Sequence, residues 1–269
     1  TTEPVETPAD EAPPAVEMCR TSTDQPERGA VALAIAGPNE ILAANGVGVA
    51  RYIRDTDEWT AEQMLTTIGH TERVLVAHGL TFFAQSGTGT VTVSTGAALK
   101  RTLWSESTEA PLIAVTDTHV FFAAPQTRGL CWLRLDDLEI GLPECWDAGI
   151  PIERMSAHNG NLALGGTFWI QMVTDHDGVE PGGLLDVGQQ LRSLALHGDR
   201  LYLGTRDWVW VADVSNPGAP TLFSASFVAL DSLSTDGETL YGANAEGLVN
   251  LSLESGAIDK VMTDAGPLR

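Results

Sequence analysis

From residue 30 onward, apolar and polar residues alternate in short runs, and Gly, Asn, Asp, His and Pro separate the runs. Alternation with a period of two places every second side chain on one face of an extended strand, so the pattern predicts strands joined by tight turns. The clearest segments are LALHGDRLYLG (194–204), MSAHNGNLALG (155–165), SLSTDGETLYG (232–242) and LVAHGLTFFA (75–84). AVTDTHVFFA (114–123) and AIAGPNEILA (34–43) are weaker copies. Aligned on the first apolar residue of the second strand, the copies fall at Ile41, Phe82, Val120, Leu162, Leu201 and Leu240, at spacings of 41, 38, 42, 39 and 39. Two further strand-like runs complete each unit. In the fifth they are DWVWVADV (207–214) and TLFSASF (221–227), split by SNPGAP; in the sixth, GLVNLSL (247–253) and IDKVMT (258–263), split by ESGA. Only TAEQML (60–65) has a helical spacing.

A unit of about 40 residues carrying four short strands is the signature of a propeller blade. The expected fold is therefore all-β: a six-bladed β-propeller with four antiparallel strands per blade, spanning 29–269. An all-β solenoid or sandwich would not repeat so evenly. Residues 1–28, rich in Pro, Thr and Glu, lack the apolar pattern needed to offset the entropy of ordering. They are expected to form a disordered acidic tether, of the kind that follows a lipid anchor upstream of Thr1.

The fifth unit carries a further signal. WVWVADVSNPGAPTLFSAS (208–226) resembles the LVIVD repeat of bacterial and archaeal surface propellers, through Asp213, Val214, Ser215, Asn216, Pro217 and Pro220. The third unit (LRLDDLEIGLP) and the sixth (LSLESGAID) lack the Asn-Pro step. The resemblance implies a propeller in an extracellular setting and no particular chemistry.

Charge narrows the classes of partner. The chain has 36 Asp and Glu against 15 Lys and Arg, a net charge of −21, and its only lysines are Lys100 and Lys260. Such a surface repels nucleic acid and anionic lipid, which need clustered cations. It suits a secreted protein kept monomeric by repulsion, a saline medium, or, more sharply, a basic protein partner or Ca²⁺. No apolar run is long enough for a transmembrane helix. Of three cysteines, Cys131 and Cys145 fall on strands expected to be neighbours and are expected to pair as a disulfide, fitting a secreted, periplasmic or cell-surface location. Cys19 lies in the tether.

The repeat also sorts the candidate sites. His78, His158 and His197 share the slot four before the anchor, with Gly37, Thr116 and Asp236 in the other copies. That slot is a hairpin turn, and its side chains are expected to fan apart rather than form a metal site. Nine before the anchor the slot reads Ala32, Arg73, Pro111, Glu153, Arg192 and Asp231, opening the innermost strand of each blade. Those strands converge on the central channel. Arg73, Glu153, Arg192 and Asp231, with Glu72 and Arg154 beside them, are expected to ring its mouth, either binding a polar ligand or compensating one another. The turns between second and third strands share that face and supply candidate interface residues: Arg128, Trp169, Arg206, Asp207, Trp208 and Glu246. DHDG (175–178) has only part of a calcium loop's ligand set and reads as a polar hairpin turn.

No Gly-x-Ser-x-Gly elbow, phosphate loop or zinc spacing is present, so no metal or cofactor is expected. The reading is a non-catalytic binding or scaffold propeller, mediating protein–protein contact at the cell surface or in the periplasm, alone or as a subunit of a larger assembly. The alternatives are a hydrolase or lyase acting at the channel mouth, and a carbohydrate-binding or adhesion module using Trp169 and Trp208.

Overall fold

A computed structural model of the 269-residue chain describes residues 32–37, 39–44, 48–55, 58–66, 70–95, 98–105, 109–176, 178–235, 239–244 and 247–262. The expected tether, Cys19 and Glu246 lie outside the described residues. The strands form six four-stranded antiparallel sheets, each built from consecutive strands. The first comprises Ala32–Gly37 (β1), Glu40–Ala44 (β2), Gly48–Asp55 (β3) and Glu58–Thr66 (β4). The second comprises His70–Ala77 (β5), Leu80–Ser86 (β6), Thr90–Thr95 (β7) and Ala98–Ser105 (β8). The third holds Leu112–Val115 (β9), His119–Ala123 (β10), Thr127–Arg134 (β11) and Glu144–Ile152 (β12), with a single 3-10 turn at Leu135–Asp137. The fourth holds Arg154–His158 (β13), Asn161–Gly165 (β14), Trp169–Asp175 (β15) and Val179–Asp186 (β16). The fifth is Leu191–His197 (β17), Arg200–Thr205 (β18), Val209–Asp213 (β19) and Thr221–Ser226 (β20). The sixth is Ser232–Thr235 (β21), Leu240–Asn244 (β22), Gly247–Leu251 (β23) and Ile258–Met262 (β24).

This is a β-propeller. The innermost strands β1, β5, β9, β13, β17 and β21 lie side by side in chain order. Because strands alternate in direction, the start of each inner strand and each second-to-third strand turn share one face, here the entry face. The inner hairpins lie on the opposite, far face. The closed six-blade ring expected from the repeat needs qualification. Among the described residues, the substantial inner-strand contacts give five sheet-to-sheet junctions, running from β1–β5 to β17–β21.

Five hydrophobic clusters match those junctions, each drawn from two adjacent sheets. Val120 and Phe122 of β10 pack toward the second sheet, against Phe82, Val91 and Val93. Phe121 and Ala123 of the same strand face the fourth sheet, against Leu162, Leu164 and Val173. Ile170 and Met172 meet Leu194, Leu201 and Leu203. Tyr202, Val209 and Val211 meet Leu240, Val249 and Leu251. Leu42 and Val49 meet Val74 and Phe83. Middle strands therefore bury both faces, and their sequences read as nearly continuous apolar runs. Each fully buried Leu, Val or Phe contributes about 1.5–3 kcal/mol. The anchors Phe82, Val120, Leu162, Leu201 and Leu240 are all fully buried.

The small residue closing LALG and LYLG has a packing reason. A Cβ on Gly165 would lie 2.5 Å from Leu194 Cδ2, and one on Gly204 would lie 3.3 Å from Leu233 Cδ1. In both cases the next sheet's inner strand covers the glycine. The run at 60–65 is part of strand β4, with Met64 opposite Ala50 and Gln63 opposite Arg51. Ladder pairing with β3 overrides its helical spacing.

Cys131 and Cys145 stand directly opposite each other on β11 and β12 and form the expected disulfide, with Cα atoms 4.1 Å apart. The Asn-Pro turn of the fifth sheet acts beyond its own sheet. Asp213 Oδ1 accepts from Ser215 N–H and Asn216 Oδ1 from Gly218 N–H, which shapes the turn. The Pro217 carbonyl then accepts from Gly183 N–H at 2.6 Å, covering part of the outer strand β16 of the fourth sheet.

Candidate functional site: the channel mouth and its aromatic rim

At the entry face the structure brings together most of the charged slot nominated by the repeat. Arg192 Nη1 donates to Asp231 Oδ1 at 2.9 Å, bridging the fifth and sixth sheets. Arg154 Nη1 donates to Glu153 Oε2 at 2.9 Å, and its Nε donates to the Arg192 carbonyl oxygen. Thr167 Oγ1 donates to Glu153 Oε1 at 2.5 Å, tying the second-to-third strand turn of the fourth sheet to the mouth. The backbone N–H groups of Glu153 and Asp231 bond the carbonyls of Gly165 and Ala243, which gives this slot the same seat in two sheets.

Arg73 stands apart from this chain of pairs. The residue is exposed. Desolvation lowers its pKa below the usual arginine value; the neighbouring Glu72 carboxylate opposes the shift, and the Arg154 guanidinium adds to it. In the third sheet the slot is Pro111, which is buried.

Around the mouth lies an aromatic rim. Trp169 opens β15 and Phe168 precedes it; they are 40% and 47% exposed. Their turn is knitted by Gly166 N–H to the Trp169 carbonyl and Val187 N–H to the Phe168 carbonyl, both at 2.8 Å. Trp208 is half-buried, because Phe227 meets it edge-on at 5.3 Å and Trp210 lies 6.1 Å away. Phe227 itself is 75% exposed. Thr205 Oγ1 donates to Gln189 and accepts from Trp208 N–H, which fixes that turn. Arg206 and Asp207 are exposed beside it. Arg128 is held by Asp147 at 3.0 Å on the third sheet. Phe168 and Phe227 were not legible as site residues, since a lone Phe after a strand looks like core.

On the far face one expectation is corrected. The shared histidine slot does not fan apart: the His158 and His197 rings lie 4.1 Å apart. Neighbouring inner strands β13 and β17 lie side by side, which brings these equivalent positions of the two sheets together. His78 instead bonds the Thr116 carbonyl through Nε2 at 3.0 Å. His158 and His197 line a cavity of about 260 Å³ with Ser156, Leu194, Leu196 and Ser234. Burial lowers the His158 pKa first, the His197 ring lowers it further, and Asp117 acts against both.

The DHDG segment forms the turn between β15 and β16, with Asp175 opposite Val179 at its base. Asp175 is buried and is the centre of a polar cluster. His119 Nδ1 lies 2.7 Å from its Oδ1, and the hydroxyls of Thr116 and Thr118 both donate to its Oδ2. The carboxylate only accepts, so Nδ1 carries the ring proton. The cluster joins the third and fourth sheets. Asp177 lies outside the described residues. Among the described residues, no three His, Cys, Asp or Glu side chains gather as a metal site.

Comparison with known proteins supports the fold. No family model matches the chain, and no curated protein matches it. Solved structures do. A protein from Lactobacillus plantarum superposes with a TM-score of 0.66 at 15% identity, over 86% of this chain and 83% of that one. A Bacteroides uniformis protein provisionally named a 6-phosphogluconolactonase gives 0.68 at 12%, over 87% and 84%. Hydrazine synthase from Kuenenia stuttgartiensis gives 0.62 at 10%, over 82% and 82%. At these identities the likeness is one of fold.

Proposed function

We propose that the protein is a non-catalytic binding propeller that works outside the cytoplasm and engages a protein partner through its entry face. The observation that carries this reading is the rim of Phe168, Trp169, Trp208 and Phe227. Phe168, Trp169 and Trp208 stay partly exposed on turns that hydrogen bonds hold in place, and the exposed Phe227 packs edge-on against Trp208. Aromatic anchors on pre-organised turns supply contact area at low entropic cost. The net charge of −21 favours a partner with a basic surface, drawn in by long-range attraction. Arg206, Asp207 and Arg192 beside the rim would set its register, and Arg128 extends the same face. The disulfide suits an oxidising compartment, and the acidic tether is read as a spacer from an anchor. The fifth-sheet turn supports kinship with LVIVD-type surface propellers. Closure of the last sheet on the first is part of the same proposal.

Trp169→Ala combined with Phe227→Ala tests the reading. Bound protein recovered from native envelope extract should fall at least about tenfold with this variant, as loss of a hot-spot pair implies. Ile140→Ser, at a far loop, should leave capture unchanged, and rising salt should weaken it. Capture that ignores the aromatic variant, or wild-type protein that retains nothing, overturns the proposal.

A further inference from the structure

The far face holds a pair of imidazoles that the fold brings together and leaves unused. His158 and His197 close the inner strands β13 and β17, and their rings lie 4.1 Å apart, tilted by 58°. The two strands are pinned beside them, because Leu196 N–H donates to Ser156 Oγ across the junction at 2.9 Å. His78, in the same slot of the second sheet, is committed to the Thr116 carbonyl through Nε2. His158 and His197 make no hydrogen bond to another described residue. Both line the same cavity of about 260 Å³, together with Ser234 of the sixth sheet.

An imidazole nitrogen ligates a transition metal at about 2.0–2.1 Å, so two that share one ion lie at most about 4 Å apart. Rings centred 4.1 Å apart are close enough to meet that limit without moving a strand. The lone pair of a ring nitrogen lies in the ring plane. Stacked parallel rings would never bring two lone pairs to one point, whereas planes tilted by 58° intersect. We infer that His158 and His197 bind one divalent transition-metal ion, of the zinc, copper or nickel class, in the far mouth of the channel. Imidazole suits these ions, while hard cations such as Mg²⁺ prefer oxygen. Two protein ligands leave the remaining positions to water, and the cavity has room, since a water needs only about 10–15 Å³ of it. Charge around the pair favours a cation. Asp117 N–H donates to the Asn159 carbonyl at 3.3 Å, which sets the aspartate's hairpin against that of His158, and its negative field reaches the His158 ring. Arg200, opposite His197 in its hairpin, is turned to the outer strand β20, with its guanidinium 4.3 Å over Phe223. Burial holds His158 toward its neutral form, the form that ligates. The expectation that this slot holds no metal rested on its side chains fanning apart, which the ring distance removes.

The site lies on the face opposite the aromatic rim, so it stands or falls apart from the reading of the entry face. Isothermal titration of the untagged protein with Zn²⁺, in excess Mg²⁺ to occupy exposed carboxylates, reads it. Saturable binding is expected. His158→Gln and His197→Gln should each weaken it by about tenfold or more, since even the outer partner of a metal ligand is worth that much. His70→Gln, which removes an exposed imidazole elsewhere, should leave it unchanged. Electron paramagnetic resonance of the Cu²⁺-loaded wild type keeps the inference testable if a variant does not fold, and coupling to two imidazole nitrogens is expected. Absence of saturable binding, or binding that persists in both histidine variants as an adventitious ion only, overturns the inference. So does an equal loss in His70→Gln, or coupling to fewer than two nitrogens.

Discussion

At the scale of single residues, the strongest contrast is between Asp175 and His158. Asp175 is buried with His119, Thr116 and Thr118 around it, so each carboxylate oxygen has a donor. Removing one member of a buried ionic or hydrogen-bonded set strands the others. Asp175→Ala should cost about 3–5 kcal/mol, read as a lowered urea midpoint with unchanged m-value. An effect below about 1 kcal/mol would show that the cluster is not a clamp between sheets. His158 gives a pH prediction. Its folded pKa lies below the ordinary value of 6.5, so the unfolded chain binds the proton more readily. Its contribution to stability is therefore fully present above pH 6.5 and declines as pH falls through the window down to the folded pKa. His197 and Asp117 face the same ring and act in opposite directions on it. Urea midpoints followed downward from neutral pH should drop in the wild type and less steeply in His158→Gln; parallel curves would remove the assignment. The chain of pairs through Glu153, Arg154, Arg192 and Asp231 was legible because three of the four share one repeat slot. The Asp175 cluster was not, because its members come from the turns of two different sheets and no spacing links them.

At the scale of strands and turns, the alternation told which residues form strands, and the pairing decided the rest. All six anchors fall on the second strand of a sheet, so the repeat located the middle of each ladder correctly. TAEQML misled because local spacing carries no information about the neighbouring strand that pairs with it. The histidine slot misled for the opposite reason: the repeat gives equivalence of position but not the distance between equivalent atoms. Cys131 and Cys145 were legible, since 14 residues containing one turn bring opposite positions of two strands together. Closing a loop of that size restricts the unfolded chain by about 3 kcal/mol. Cys131→Ser with Cys145→Ser, or reduction of the wild type, should lower stability by roughly that amount. Equal urea midpoints with and without reductant would contradict it. The Asn-Pro turn makes a sharper element-scale point. Its Pro217 carbonyl serves Gly183 of the preceding sheet, so a motif that reads as a local turn also protects a neighbour's edge.

At the scale of the whole molecule, two opposing terms set stability. Hydrophobic clusters at successive junctions hold adjacent sheets face to face, and this term is insensitive to moderate salt. Against it stands the self-repulsion of a chain with a net charge of −21, which is strongest in the compact state. Salt weakens that repulsion: the screening length falls from about 10 Å at 0.1 M to about 3 Å at 1 M. Salt also weakens attractive pairs such as Arg128–Asp147 and Arg134–Asp136. Those pairs are exposed and contribute little, whereas the buried Asp175–His119 contact is screened far less. The repulsive term therefore dominates the response, and the melting temperature should rise by several degrees as sodium chloride goes from about 0.1 M to about 1 M. Differential scanning calorimetry measures it directly. A flat or falling curve would mean that the excess of carboxylates is spread too widely to be felt by the fold. The acidity would then be read as a matter of partner choice alone, which the salt dependence of capture at the entry face measures independently.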